Sequence, residues 1–309
     1  VAKLAFPFSW GTRTYVMGIL NVTPDSFSGD GLIVREQGAP ADQPIDGAAG
    51  IEMVDNPAAL AVARQMVAAG ADILDVGGES TRPGAQPVGT EVEIARVVPL
   101  IQSLSAELDV LISIDTYKAA VARAALEAGA DLVNDVWGLK ADPDLAAVVA
   151  QCHVPVILMH NRSSWANAEV RARLGGRYIG MPYQDLIGDI QRELLESIDL
   201  AHAAGIPDEH ILLDPGIGFG KTVEQNLELL DRLGAFRALG YPLLVGPSRK
   251  SFIGYTLDLP PDQRLEGTAA AVAIAIARGA DIIRVHDVGF MVKVARMTDA
   301  MVRRPVVSK

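Results

Sequence analysis

AAGADILDVGG, residues 68–78, holds the architecture of the chain in miniature. The alanine-rich stretch up to Ala69 favours helix, and Gly70 supplies a stop. A small residue then leads into the apolar run of Ile73, Leu74 and Val76, which ends at a pair of glycines. The same junction returns as EAGAD at 127–131 and as ARGAD at 277–281. A chain that repeats one helix-to-strand junction alternates the two elements.

Working outward, short apolar runs stop eight times at a cluster of Asp, Asn, Arg, His or Gly. The endings are NVTPDSF (21–27), DVGGESTRPG (75–84), SIDT (113–116), NDVWG (134–138), LMHNR (158–162), LDPGIGFGKT (213–222), VGPSRKSFIG (245–254) and RVHD (284–287). The strands expected at these places are 15–20, 73–76, 110–114, 132–134, 155–159, 210–213, 243–245 and 281–285. Several are unbroken runs of Val, Ile and Leu, the pattern of strands buried on both faces. Apolar residues spaced by three and four predict helices at 56–69, 90–108, 116–128, 142–151, 181–204, 223–233, 261–278 and 290–302. Eight strand–helix units predict an α/β fold, the closed (β/α)8 TIM barrel, which gathers all the polar endings at one rim. The same alternation also fits an open doubly wound sheet, but no nucleotide-binding glycine signature follows the first strand. The short fourth strand is the weakest element of the count.

The chain has 309 residues, half of them hydrophobic, enough for one large core, so residues 1–309 are expected to form a single barrel domain. Residues 31–56, rich in Gly, Pro and Asp, read as a long loop on the catalytic rim, and 80–89 as a second. The formal charge of -11 argues against nucleic acid as a partner. The one cysteine, Cys152, allows no intrachain disulfide and reads as packing. No apolar run of about 20 residues predicts a membrane span, and VAKLAFPFSWGTR at 1–13 lacks a signal-peptide pattern, so the expected location is cytoplasmic.

The rim endings supply the candidate chemistry. Asp115 and Asn134 end adjacent strands, and Asp214 ends another; together they suit a heterocycle bearing N–H groups and ring nitrogens. The competing reading for Asp115 and Asp214 is helix or turn capping. Arg284 and His286, two apart on the last strand, share a face and, beside Asn21, suit phosphoryl oxygens. Structural pairing with Asp287 is the alternative. Lys250 suits a carbonyl oxygen or ring nitrogen of the heterocycle, Ser248 a carboxylate on a second substrate, and Arg249 equally a surface charge. GIGFGKT at 216–222 lacks the full nucleotide-loop spacing. Phe219 within it suits an aromatic substrate or the core, and His160 is open between a structural and a catalytic role. Metal ligands are sparse: Asn21 could give one oxygen to Mg2+ while a polyphosphate and water supply the rest.

With these residues in hand, the chain resembles the dihydropteroate synthase family of folate biosynthesis, the target of sulfonamides. The resemblance rests on MGILNVTPDSFS (17–28), DVGGESTRPGA (75–85), SIDT, NDVWG, LDPGIGFGKT, GPSRKSFIG (246–254) and IIRVHDV (282–288), in family order along nearly the whole chain. It implies condensation of 6-hydroxymethyl-7,8-dihydropterin pyrophosphate with p-aminobenzoate to give 7,8-dihydropteroate and pyrophosphate. By resemblance Asp115, Asn134, Asp214 and Lys250 hold the pterin. Asn21, Arg284 and His286 hold the pyrophosphate, with Mg2+ shared by Asn21. Thr81, Arg82 and Pro83 lie on a loop of the p-aminobenzoate site, where Phe219 meets the ring and Ser248 the carboxylate. Asp115, Lys250, Arg284 and His286 would carry the catalysis. A homodimer through the helices expected at 261–278 and 290–302 is also implied. Two segments depart from the pattern: the long 31–56 insertion, and SSWANAEVRARLGGRYIG at 163–180, to which no role is assigned. A pterin-dependent methyltransferase and a non-catalytic pterin-binding homologue are the alternative readings.

Overall fold

The computed structural model describes residues 7–23, 56–81, 85, 87–164, 168–171 and 173–303. Residues 31–55 of the expected rim loop, together with Arg82 and Pro83, lie outside the described residues.

Strands and helices alternate from β1 (Tyr15–Asn21) and α1 (Asn56–Ala69) through β2 (Ile73–Gly77), α2 (Thr90–Glu107), β3 (Leu111–Asp115), α3 (Ala119–Ala128), β4 (Leu132–Asp135), α4 (Leu145–Cys152) and β5 (Val156–Met159). A hairpin, β6 (Ala168–Arg171) and β7 (Gly175–Tyr178), interrupts the alternation. Then follow α5 (Leu186–Ala203), β8 (Ile211–Asp214), α6 (Val223–Asp231), β9 (Leu244–Val245), α7 (Ser251–Leu257), α8 (Leu265–Ala277), β10 (Ile282–Val285) and α9 (Val288–Val302). Eight strands pair in parallel in the order β8-β5-β4-β3-β2-β1-β10-β9. A bridge between Leu213 and Leu243, with the Leu213 N–H donating to the Pro242 carbonyl at 3.0 Å, joins the two ends. The TIM barrel read from the sequence is therefore the fold.

The repeated junction has a physical basis. Gly70, Gly129 and Gly279 all take positive φ, at 105°, 119° and 103°, where a side chain would be strained. The next residue's N–H returns to a carbonyl five back, as in Ala71 to Met66, Ala130 to Ala125 and Ala280 to Ala275, which closes the helix end. The aspartate that follows serves the sheet. Asp72, Asp131 and Asp281 accept the N–H groups of Val16, Ile112 and Leu243 on the neighbouring strand, at 2.8, 2.8 and 3.1 Å. One pentapeptide thus ends a helix and satisfies the entry of an adjacent strand.

Side chains alternate across each strand. Leu74, Val76, Ile112, Ile114, Val133, Ile283 and Val285 face outward into the core shared with the helices. Tyr15, Met17, Ile73, Leu132, Ile157, Leu212, Leu244 and Ile282 fill the barrel interior, with Phe8 and Trp10 packed against them. The Phe8 ring stacks on Tyr15 at 3.9 Å between centroids, so the N-terminal segment seals the lower end. Each such buried side chain contributes about 1.5–3 kcal/mol. Two and four positions further along, the inward residues become Asp75, Ser113, Asp115, Asn134, Asp214, Arg284 and His286. The barrel is apolar below and ionic above.

Strand bounds agree with the sequence reading to within a residue, but several helices begin later than expected. α3 opens at Ala119 rather than at 116, because Thr116 to Lys118 form a rim turn in which the Thr116 hydroxyl accepts the Lys118 N–H at 3.2 Å. α4 opens at Leu145 rather than at 142, since the Asp142 carboxylate accepts the Ala119 and Asp144 N–H groups. α5 opens at Leu186 rather than at 181, with the Met181 N–H tied to the Gly220 carbonyl. The hairpin and α7 are elements that periodicity did not anticipate.

Candidate active site

The ionic end of the barrel opens into a cavity of about 220 Å3. Asn21, Thr81, Asp115, Phe219, Ser248, Lys250, Arg284 and His286 line it. Asn134 and Asp214, both buried, are candidates that do not form its surface.

Arg284 organises the floor. Its Nε donates to Asp75 Oδ2 at 2.5 Å and its Nη2 to Asp115 Oδ2 at 2.6 Å. The same Asp75 oxygen accepts Asn134 Nδ2 at 3.1 Å. Asn134 thus supports the carboxylate beneath Arg284. Asp75 is the functional residue that sequence reasoning missed, although a charged residue inside the apolar run ILDV was a visible signal. The capping reading of Asp115 fails: Lys118 stands at the N-cap of α3 and Asp115 serves Arg284. The proposed pairing of Arg284 or His286 with Asp287 fails too, because Asp287 holds Arg249 through two bonds, at 2.5 and 2.9 Å.

Charge is tuned here by burial. Desolvation pushes the Asp115 carboxyl up to about 7; Arg284 opposes this and the nearby Asp75 reinforces it. Asp75 and Asp115 share the one guanidinium. Burial pulls Lys250 down to about 8, against the attraction of Asp214. Lys250 Nζ donates to the Ile217 carbonyl and lies 4.5 Å from the centre of the Phe219 ring, a cation–π contact. Asp214 accepts the Gly216 N–H at 2.7 Å, so its turn-capping reading is realised, while burial raises its pKa against the pull of Lys250.

Ser248 and His286 are coupled. The His286 backbone N–H donates to Ser248 Oγ at 3.2 Å, and that hydroxyl lies 3.0 Å from His286 Nδ1. Where the hydroxyl donates its hydrogen to Nδ1, the ring proton of the neutral imidazole sits on Nε2. His286 then presents an N–H donor on the side of the ring away from Ser248.

GIGFGKT is not a phosphate cradle. Lys221 Nζ turns back on its own loop, donating to Gly216 O at 2.8 Å and Phe219 O at 3.0 Å, and lies 3.1 Å from His160 Nδ1. His160 Nε2 meets Glu193 at 3.0 Å, and Arg162 completes the chain on Glu193. Burial holds His160 down at about 4, with Lys221 adding to the effect, so it is a neutral strut in this network. Among the described residues no three His, Cys, Asp or Glu side chains are grouped to hold a metal ion. Asn21 offers a single amide oxygen on the cavity wall, which fits an ion carried mainly by substrate oxygens and not a protein-built metal centre.

The arrangement places cationic and N–H donors beside a buried carboxylate and an aromatic wall. It suits a flat, nitrogen-rich ring carrying an anionic group. Comparison with known proteins agrees. The model of the pterin binding enzyme family matches residues 42–286. The dihydropteroate synthase of Clostridium beijerinckii is 48% identical over 298 residues, covering 96% of this chain and 97% of that protein. Among solved structures, Clostridium difficile dihydropteroate synthase in the presence of pteroic acid superposes with a TM-score of 0.81 at 45% identity, covering 96% of this chain and 100% of that one. The Xanthomonas albilineans enzyme with 4-aminobenzoic acid gives 0.79 at 39% identity, covering 96% and 95%. The match in family model, sequence and fold over nearly the full chain shows that this protein belongs to the dihydropteroate synthase family of pterin binding enzymes.

Proposed function

We propose that the chain condenses 6-hydroxymethyl-7,8-dihydropterin pyrophosphate with p-aminobenzoate, releasing 7,8-dihydropteroate and pyrophosphate. The observation that carries this reading is Arg284 held between Asp75 and Asp115 on the floor of a cavity that also contains His286 and Lys250. The solved relatives with pteroic acid and 4-aminobenzoic acid support both substrate classes.

In this reading Asp115 accepts pterin N–H groups and Lys250 reaches the ring, with Asp214 behind the cavity surface, where it attracts Lys250 and holds the Gly216 turn, and Asn134 fixing the floor from below. Arg284, His286 and Asn21 receive the pyrophosphate. The bond from the pterin methylene carbon to oxygen breaks, and its electron pair leaves with pyrophosphate. Arg284 and the His286 Nε2–H stabilise that charge where it develops. Asp115 offsets positive charge spread into the pterin. The aniline nitrogen, seated between Phe219 and the rim with its carboxylate toward Ser248, forms the new C–N bond and sheds a proton. It needs placement more than a strong base, because its lone pair is already free. Magnesium, held through Asn21 and substrate oxygens, would supply further positive charge to the leaving group.

The raised Asp115 pKa gives a sign. Below about 7 the carboxyl is increasingly protonated and loses acceptor capacity for N–H groups. Calorimetric affinity for 6-hydroxymethyl-7,8-dihydropterin should therefore strengthen from pH 5.5 to pH 8, and Asp115→Asn should flatten the dependence. An affinity independent of pH in the parent protein contradicts the assignment.

Assembly and location complete the proposal: a cytoplasmic homodimer joined through α8 and α9. Exposed Ile274, Phe290, Met297 and Met301 on these helices support that face, and a monomeric mass at working concentration refutes it. Among the described residues no helix is long and apolar enough to cross a membrane. The decisive assay mixes protein, Mg2+, pterin pyrophosphate and p-aminobenzoate and quantifies both products. Equal, enzyme-dependent formation of dihydropteroate and pyrophosphate supports the proposal. Neither product from folded, pterin-binding protein refutes it.

A further inference from the structure

The hairpin β6–β7 stands where the family resemblance assigns nothing. Its register pairs Ala168 with Tyr178 and Val170 with Gly176, and directly opposed residues share a face. That face carries Ala168, Val170, Gly176 and the aromatic ring of Tyr178. The opposite one carries charge: Glu169 pairs with Arg171 at 2.8 Å and with Arg177 at 2.8 Å. Val170, Gly176 and Tyr178 line the cavity, Tyr178 buried and Val170 largely exposed, while on the charged face Arg171 and Arg177 lie over the Tyr255 ring.

The hairpin is anchored at two places. The Tyr178 hydroxyl donates to the Thr81 carbonyl at 2.9 Å, tying β7 to the loop after β2. On the other flank Arg264, itself buried, donates to the Leu174 carbonyl at 2.7 Å and to the Arg249 carbonyl at 2.9 Å. The strip therefore spans the mouth from the β2 loop to the β9 loop. Tyr178 is buried, and its ring faces Phe219 with centroids 6.2 Å apart and planes inclined by 29°. A flat ring seated between two others needs about 7 Å, two van der Waals thicknesses, so a small displacement of Tyr178 admits one. Gly176, opposite Val170, leaves room beside it.

We infer that Tyr178 is a specificity-determining residue, forming with the hairpin the second wall of the arylamine subsite, opposite Phe219. This deepens the proposed function and rests on its placement of p-aminobenzoate at Phe219. Tyr178 touches the incoming ring and sets its thickness and width. Its hydroxyl holds the wall to the Thr81 loop.

The test is a steady-state comparison of parent, Tyr178→Ala and Tyr178→Phe, with Mg2+ and both substrates varied in turn. Tyr178→Ala is expected to raise the KM for p-aminobenzoate roughly tenfold while leaving that for pterin pyrophosphate within about twofold. It should also narrow the parent's preference for p-aminobenzoate over ring-substituted 4-aminobenzoates, and Tyr178→Phe should recover most of the KM. Pterin calorimetry on Tyr178→Ala monitors the integrity of the floor. Unchanged KM values and ring selectivity overturn the inference. Parallel loss of pterin binding, or a fall in kcat alone, also overturns it by assigning Tyr178 a purely structural role. A parent protein that makes no dihydropteroate is a separate result, and it falls on the proposed function instead.

Discussion

Arg284→Ala is expected to lower kcat/KM for pterin pyrophosphate by about 10²–10³-fold and to destabilise the fold at the same time. The guanidinium lies between two carboxylates, at 2.5 Å from Asp75 and 2.6 Å from Asp115. Removing one partner of a buried ion pair leaves uncompensated charge, at a cost of about 3–5 kcal/mol. Each 1.36 kcal/mol lost from the transition state is about tenfold in rate. The stability loss depends on pH in a definite direction. Without Arg284, its lowering effect on Asp115 is gone and the folded pKa rises further above the ordinary carboxyl value. A carboxyl raised in the folded state favours folding below its unfolded pKa, and that contribution is lost as pH climbs through the folded value. The melting deficit of Arg284→Ala against the parent should therefore be larger at pH 8 than at pH 5. Melts at both pH values, with pyrophosphate release as the activity readout, check this. An equal deficit at both pH values argues that Asp115 and Asp75 do not depend on the guanidinium.

Lys221→Met should have the second largest effect, from outside the cavity. Only the ammonium form supplies three N–H donors, and Lys221 has three acceptors within reach: Gly216 O, Phe219 O and His160 Nδ1. Burial pulls its pKa down to about 7, with Asp214 opposing. Methionine fills similar space and abandons all three acceptors, each worth about 1–3 kcal/mol when left buried and unpaired. The loop cannot reshape cheaply, since a Cβ at Gly216 would collide with the His160 carbonyl oxygen. A melting temperature lower by roughly 5–10 °C is expected. The KM for p-aminobenzoate should rise, because Phe219 hangs on this loop. A variant that melts like the parent and keeps both KM values would show that the loop holds itself.

The fold was legible because its signals are local and repeated. A positive-φ glycine and a strand-capping aspartate are written into each GAD junction, and the runs of Val, Ile and Leu mark strands covered on both sides. The rim candidates were legible because polar residues at strand ends converge once the barrel closes. Asp75 was not, because its importance arises from closure itself: β2 carries it to β10, 209 residues away, where Arg284 waits. The role of Lys221 was not legible either: GIGFGKT lacks the full nucleotide-loop spacing, and the acceptors of Lys221 come from the turn's three-dimensional course. The hairpin hid for another reason. Four-residue strands containing paired glycines have weak periodicity, and what stabilises this one is contact with Thr81, Arg264 and Phe219.

The sealed floor of Phe8, Tyr15 and the ring of aliphatic side chains has a temporal consequence. A cylinder stopped at one end is a blind well, and its contents form a queue. On the proposed assignments the ring seated at Asp115 occupies the bottom of that queue, and the ring seated beneath Tyr178 stands above it. The deeper guest must arrive first, and once the two are joined the deeper half can leave only by drawing the shallower half out ahead of it. Geometry alone thus imposes an order of arrival and departure, with no moving part required to enforce it.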